Sequence, residues 1–336
     1  MNSASLEQDF PIVDISPYIA SSEGSKRDLA RRVDEVCRQT GFLAVVEHGV
    51  PSEITAAAWQ AARLFFDLPL DKKLEVRMPY NGYPYGYAPL EAEMLAVSLG
   101  KETPPDLKES FSIGPLRRPS RPLFNAGDDQ ESAFRYAPNQ WPREPAELRP
   151  AWSAYYEEME KLAAAIMRIF AIALELPENF FADKIDQHTS AMRALNYPDL
   201  SGPPVSGQLR AGEHSDYGSL TILLTEPAPG GLEIFTAEGT WLEVPVVEGS
   251  FIINIGDLMA RWTNDRWVST LHRVRCPPAD SPGTTRRQSI AFFHQPNWNA
   301  EISCIPTCLG IGGKAKYEPV RSGAYLMEKF RLAVNA

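Results

Sequence analysis

Gly212 to Leu224 reads G-E-H-S-D-Y-G-S-L-T-I-L-L, and the rest of the chain falls into place around it. His214 and Asp216 are separated by one residue. In an extended strand side chains alternate faces, so these two point the same way, about 7 Å apart along the chain. An imidazole and a carboxylate on one face make two thirds of a metal site. A third ligand stands in S-T-L-H-R-V, at His272. Two imidazoles and one carboxylate gathered on one side of an octahedral ion leave the opposite side open to other ligands. The chain has five histidines, and any one taken alone reads as a hydrogen-bonded structural residue.

What tips the balance lies further on, in T-T-R-R-Q-S-I-A-F-F-H-Q-P. By the same alternation Arg287, Ser289, Ala291 and Phe293 share one strand face, while Arg286 and Gln288 point away. An arginine on a mostly apolar strand needs an anionic partner if it is buried. Arg287 with Ser289 offers a fork of donors plus a hydroxyl, which suits a carboxylate. Phe293, on the same face, is placed to pack on a substrate, and Arg210 has the sequence parity of His214 and could meet an acidic one.

Around this stretch the pattern is that of short strands divided by Gly, Pro, Asn and Asp turns, the signature of an all-β sandwich or barrel. Candidate strands fall near 191–197, 208–213, 219–225, 231–236, 241–245, 251–255, 270–275 and 286–294. Eight short strands in this order fit a jelly roll. The N-terminal half reads differently. A first strand spans Pro11 to Ile15, and a helix follows that is capped by Ser25, with Asp28 three residues on. Phe42 to Val46 is a buried strand, Ser52 to Phe66 a helix, and Asp106 to Ile113 another strand. The Tyr-, Gly- and Pro-rich residues 79–90 read as either a packed loop or an aromatic wall over a pocket. Residues 114–150 read as a long cover segment with interspersed aromatics, Phe124 among them. A helix over about 147–175 has apolar residues at three- and four-residue steps, and a last helix runs from about Ser322. The fold class is therefore α+β, mainly β. It comprises an N-terminal helical and mixed region (1–180), a jelly-roll core (181–300) and a C-terminal segment with its helix (301–336), acting as one catalytic unit.

The pieces H-S-D at 214–216, G-D-L-M-A-R-W-T-N-D-R-W-V-S-T-L-H-R-V at 256–274 and R-Q-S at 287–289 resemble the isopenicillin N synthase-like family of Fe(II)/2-oxoglutarate-dependent dioxygenases. P-I-V-D-I-S near the start, G-F-L-A-V-V-E-H-G-V-P at 41–51 and L-N-Y-P at 195–198 extend the resemblance in family order over nearly the whole chain. The resemblance implies that His214, Asp216 and His272 hold Fe(II), with 2-oxoglutarate and O2 as co-substrates. Arg287 and Ser289 would take the far carboxylate of 2-oxoglutarate, with Tyr197 a further donor and Asn196 near the chelated end. The reaction implied is hydroxylation, desaturation or cyclisation of a small-molecule metabolite, with release of succinate and CO2, in secondary metabolism. The alternatives are a family oxidase that does not use 2-oxoglutarate, whose Arg287 and Ser289 would bind the substrate's own carboxylate, and a non-catalytic jelly-roll binding protein.

Composition narrows the partners. Lys+Arg 33 against Asp+Glu 43 gives a net charge of −10, which argues against a nucleic-acid surface. No basic amphipathic stretch suggests a membrane surface. The opening M-N-S-A-S-L-E-Q-D-F lacks the charged and apolar regions of a secretory signal, and the four cysteines are scattered, so the expectation is a cytoplasmic protein with reduced thiols. Phosphate-loop, dinucleotide and nucleophile-elbow motifs are absent; G-I-G-G-K at 310–314 has Cys308 where such a loop needs glycine.

Overall fold

The structure is a computed structural model and describes residues 10–19, 23–117, 130–200, 202–310 and 312–334. The central part of the expected cover segment, with Phe124, lies outside the described residues. The strands are β1 (Ile12–Asp14), β2 (Phe42–Val46), β3 (Gly86–Ala88), β4 (Glu109–Ile113), β5 (Ala191–Tyr197), β6 (Ala211–His214) and β7 (Leu220–Thr225). They continue with β8 (Leu232–Phe235), β9 (Trp241–Glu243), β10 (Phe251–Ile255), β11 (His272–Val274), β12 (Arg287–His294), β13 (Glu301–Ile302) and β14 (Val320–Arg321). The helices are α1 (Ser16–Ile19), α2 (Glu23–Gln39), α3 (Ser52–Phe66), α4 (Leu70–Leu74), α5 (Gln130–Arg135), α6 (Leu148–Ala173), α7 (Ala182–Ile185), α8 (Asp257–Trp262) and α9 (Ser322–Val334).

The eight strands expected from residue 190 onwards are β5 to β12, and they divide four and four. The first sheet runs β1-β2-β10-β7-β12-β5-β4-β3, and the second β6-β11-β8-β9. The strands of the C-terminal half are thus shared between two facing sheets, which makes a jelly roll. The N-terminal half contributes more than helices. It adds β1 and β2 to one edge of the larger sheet and β4 and β3 to the other. Only β1 with β2 is parallel; every other named pair is antiparallel.

Period-two alternation in the larger sheet separates two environments. One face carries Phe111, Met192, Ala194, Ile222, Ile253, Ile290 and Phe292, all buried against the helices. Helix α6 presents Trp152, Tyr155, Tyr156, Met159, Ile166 and Phe170 to this core, three or four residues apart for the most part, as an amphipathic helix should. Two of its buried polar tips are satisfied by backbone: Trp152 Nε1 donates to the Ala58 carbonyl and the Tyr156 hydroxyl to that of Ser190. The opposite face looks into the roll, where Phe42, Ala44 and Ile252 meet Ala211, Leu232, Ile234 and Val274 of the smaller sheet.

One local expectation changes, and one left open by the sequence is narrowed. Ser25 lies inside α2, which begins at Glu23, and so does not cap it. Three of the four tyrosines of the 79–90 loop are packed: Tyr83 and Tyr85 cluster with Ala137, and Tyr87 lies against Phe65 on the helix side, while Tyr80 is exposed. Among the described residues no helix is long and apolar enough to cross a membrane.

Candidate metal and co-substrate site

His214 is the last residue of β6 and His272 the first of β11, and the two are directly paired across the smaller sheet. Their rings approach to 4.3 Å between centroids. Asp216 lies just beyond the end of β6, so its direction is set by the following turn and not by strand alternation. It nevertheless faces the same point. One ligand atom from each of His214, Asp216 and His272 lies within 4.8 Å of the others. Asp216 Oδ1 is 3.8 Å from His272 Nε2.

The tautomers are fixed by backbone. His214 Nδ1 is 2.7 Å from the Gly212 carbonyl and His272 Nδ1 is 3.1 Å from that of Thr270. A carbonyl only accepts, so each Nδ1 carries a proton and each Nε2 is the ring nitrogen left for the shared point. Burial, followed by the neighbouring His272, lowers the His214 pKa to about 3, so this ring is neutral, as a metal ligand must be. Asp216 is 6% exposed. Burial pushes its pKa up, but the two imidazoles and the donors on its other oxygen outweigh that and hold it below the usual carboxylate range. Those donors are Thr221 Oγ1, at 2.5 Å, and Asn254 Nδ2, at 2.7 Å, both on Oδ2.

Further along the same interior face lies Arg287, opposite Tyr197 on β5. Its guanidinium sits 5.1 Å from the Tyr197 ring centroid, and Nη2 donates to Thr225 Oγ1 at 2.5 Å. Nη1 is buried with no hydrogen-bond partner. An unpaired buried charged donor is costly, and a carboxylate is the group that relieves it. Ser289, two residues on, is 2% exposed and opposite Thr225 and Leu195. The donor set therefore fits a dicarboxylate lying between Arg287 and the His-Asp-His group. Thr221 bonds Asp216 and Thr225 bonds Arg287; on one strand face these threonines are about 13 Å apart along β7.

Two expected site residues are placed elsewhere. Asn196 neighbours Tyr197 on β5, and alternation turns it to the helix side, where Nδ2 donates to Glu109 Oε1 and Oδ1 accepts from Arg286 Nε. Leu195 takes the interior position instead. Arg210 does not share the direction of His214, because a register shift between β6 and β11 breaks the alternation. It is fully buried and donates to the carbonyls of Pro229, Pro198 and Thr285. Its Nε has no hydrogen-bond partner, and its guanidinium lies 5.9 Å from the ring of Tyr197, the ring that Arg287 also approaches. Phe293 is interior and opposite Thr221, one row from the metal ligands.

The interior face also holds residues that sequence reasoning passed over. Arg193 on β5 lies opposite Ala291 and Ser112. Its Nε donates to Ser112 Oγ and its Nη1 to Glu93. Lys108, 1% exposed at its side chain, bridges Glu93 and Asp106, and Asp106 in turn accepts from the Gly212 backbone N–H. The available signals were an arginine inside an apolar strand at 193, an asparagine inside F-I-I-N-I, and threonines four apart in T-I-L-L-T. Each is a polar group that burial obliges to find a partner.

Comparison with known proteins agrees with this geometry. Residues 10–144 match the family model described as non-haem dioxygenase in morphine synthesis N-terminal, and residues 189–296 that of the 2OG-Fe(II) oxygenase superfamily. Validamycin A dioxygenase of Streptomyces hygroscopicus subsp. limoneus is 35% identical over 321 residues, covering 95% of this chain and 85% of that protein. The 2-oxoglutarate-Fe(II) type oxidoreductase hxnY of Emericella nidulans is 32% identical over 314 residues, covering 92% and 86%. Among solved structures, a full-length Neurospora crassa protein in complex with alpha-KG superposes with a TM-score of 0.83 at 30% identity, covering 100% of both chains. The sheet order, the His-Asp-His group and these matches agree, and the chain belongs to the isopenicillin N synthase-like family of Fe(II)/2-oxoglutarate-dependent dioxygenases.

Proposed function

We propose that His214, Asp216 and His272 hold the ferrous ion, that Arg287, Ser289 and Tyr197 receive the far carboxylate of 2-oxoglutarate, and that the enzyme hydroxylates a small polar metabolite. With O2, the iron and 2-oxoglutarate supply a two-electron oxidation: the co-substrate becomes succinate and CO2, and one oxygen atom enters a substrate C–H bond. The residues of this chain bind and orient. The Arg287 donors would hold the far carboxylate of the co-substrate, and apolar Phe42, 5.3 Å from the His272 ring, with Ile234 and Ile252 would limit water around the ion. Phe293 supplies a flat apolar surface for substrate, and Arg193, anchored by Ser112 and Glu93 on the same face, supplies a donor for a carbonyl or carboxylate.

The observation that carries the reading is the buried, unpartnered Nη1 of Arg287 on the face that also holds Asp216 through Thr221. Relatives support a small substrate: the same Neurospora crassa protein was solved with thymine and with 5-formyluracil. The acidic net charge and the free thiols of all four cysteines are consistent with a cytoplasmic enzyme, and we assign it to secondary metabolism. The test is anaerobic addition of Fe(II) and then 2-oxoglutarate, monitored for the visible absorption of the chelate, followed by a metabolite screen for succinate release. The expected result is a band that needs both additions and is lost in Arg287→Leu at the same co-substrate concentration. No band in the wild-type protein, or succinate formation indifferent to Arg287, would overturn the assignment.

A further inference from the structure

Asp216 is held from two directions. Its backbone is clamped by the turn that enters α8: Asp257 N–H donates to the Asp216 carbonyl at 2.7 Å, Gly256 N–H to that of Ser219 and Leu258 N–H to that of Gly218. The two turns approach so closely that a Cβ on Gly256 would lie 2.2 Å from the Gly218 carbonyl oxygen. The carboxylate is held separately. Thr221 on β7 and Asn254 on β10 face each other across the strand pair and are 4% and 3% exposed. Both give their donor to the same oxygen, Oδ2. Among the described residues no N–H or O–H is bonded to Oδ1, the oxygen turned towards His272.

We propose that Thr221 and Asn254 are positioning residues that reserve Oδ2 and so keep Asp216 a one-oxygen ligand. The inference rests on His214, Asp216 and His272 being the iron ligands. Its consequence is a count of positions. Two imidazoles and one carboxylate oxygen fill three of six octahedral sites, and a chelating co-substrate needs two more. If both oxygens of Asp216 bound the ion, no position would be left for O2 once the chelate had formed. Two donors on Oδ2 oppose that swing, because each bond would have to break inside a dry core.

The experiment uses Co(II) as probe on the full chain. Thr221→Val and Asn254→Leu remove one donor each at similar volume, and Thr221→Ser keeps the hydroxyl. The expected result is Co(II) affinity about 10- to 100-fold weaker in the first two variants, the range found when a ligand loses its outer partner. The visible spectrum of their Co(II) forms should change and 2-oxoglutarate should bind them less tightly, while Thr221→Ser behaves as wild type. The melting temperature of the metal-free variants separates this from a packing role. Unchanged Co(II) affinity and spectrum, with only that melting temperature reduced, would overturn the proposal. A wild-type protein that fails to bind Co(II) would instead refute the metal site itself.

Discussion

Strand β12 carries two different surfaces one residue apart. Ile290 and Phe292 are fully buried against the helical layer, whereas Arg287, Ser289 and Phe293 look into the roll. The same division runs through β5, β7 and β10. On the helix side burial is dense and, away from the Asn196, Glu109 and Gln288 row, mostly apolar, so those apolar residues supply stability through area removed from water. On the interior side burial is mixed: apolar residues such as Phe42 and Ile252 sit beside polar ones, among which Asp216 and Arg193 have specific partners, Arg287 has Thr225, and Arg287 Nη1 has none. Such polar burial contributes little to stability. What it provides is a preorganised surface for charged ligands.

The sharpest way to break this comparison is at its extremes. Asp216→Ala removes a charged ligand from the interior face, and succinate production should fall to background while the metal-free protein keeps its melting temperature. Phe292→Ala, one strand face away from the co-substrate, should do the reverse. Its fully buried ring is worth about 3–5 kcal/mol to truncate, read by denaturant unfolding, while the surviving folded enzyme keeps its KM for 2-oxoglutarate. Phe293→Ala should cost far less stability and change substrate KM instead. If both phenylalanines affected stability equally, the two-faced reading of β12 would fail.

Arg287→Lys comes next. Lysine keeps the charge but loses the planar fork and the bond to Thr225. Loss of a hydrogen bond to a charged group, about 1.5–3 kcal/mol, corresponds to roughly a 10- to 100-fold rise in the 2-oxoglutarate KM. Metal affinity should be unaffected, since Arg287 acts at the other end of the interior. A matching loss of Co(II) binding would mean that the two ends are not separate.

The faces were legible in the sequence wherever alternation held. The strand of Arg287, Ser289 and Phe293 follows it residue by residue, and the jelly-roll strands after residue 190 lie within a few residues of their expected positions. It failed where the backbone departs from period two. A register shift between β6 and β11 separates the direction of Arg210 from that of His214, and its one local mark in R-A-G-E-H is Gly212, a residue that inside a strand often signals a bulge. Asn196 is a different case: once Tyr197 is interior its neighbour cannot be, and L-N-Y-P already contains that constraint. The pairing of the two histidines across β6 and β11 depends on long-range topology, which spacing alone does not encode. The Glu93, Lys108 and Arg193 cluster is of the same kind, drawn from three distant segments.

That cluster gives the smallest and most specific test. Burial pushes the Glu93 carboxyl up, but Arg193 and then Lys108 outweigh it and hold the group at about 2, below its ordinary value. A carboxyl depressed on folding contributes stability that is present in full above its unfolded pKa, near about 4.3, and is lost as pH falls towards the folded value. Wild-type unfolding midpoints should therefore drop between about pH 4.5 and the folded value of about 2 more steeply than those of Glu93→Gln, a neutral isostere with no proton to gain. Phe292→Ala should lower the midpoint at every pH, since its ring packs with Tyr156, His188 and His294 on the opposite face of the sheet from the Glu93 cluster. If Glu93→Gln left the wild-type slope intact, the interior charges would be solvated rather than paired. Arg193 would then be free to leave Ser112 and could not serve as a fixed donor for substrate.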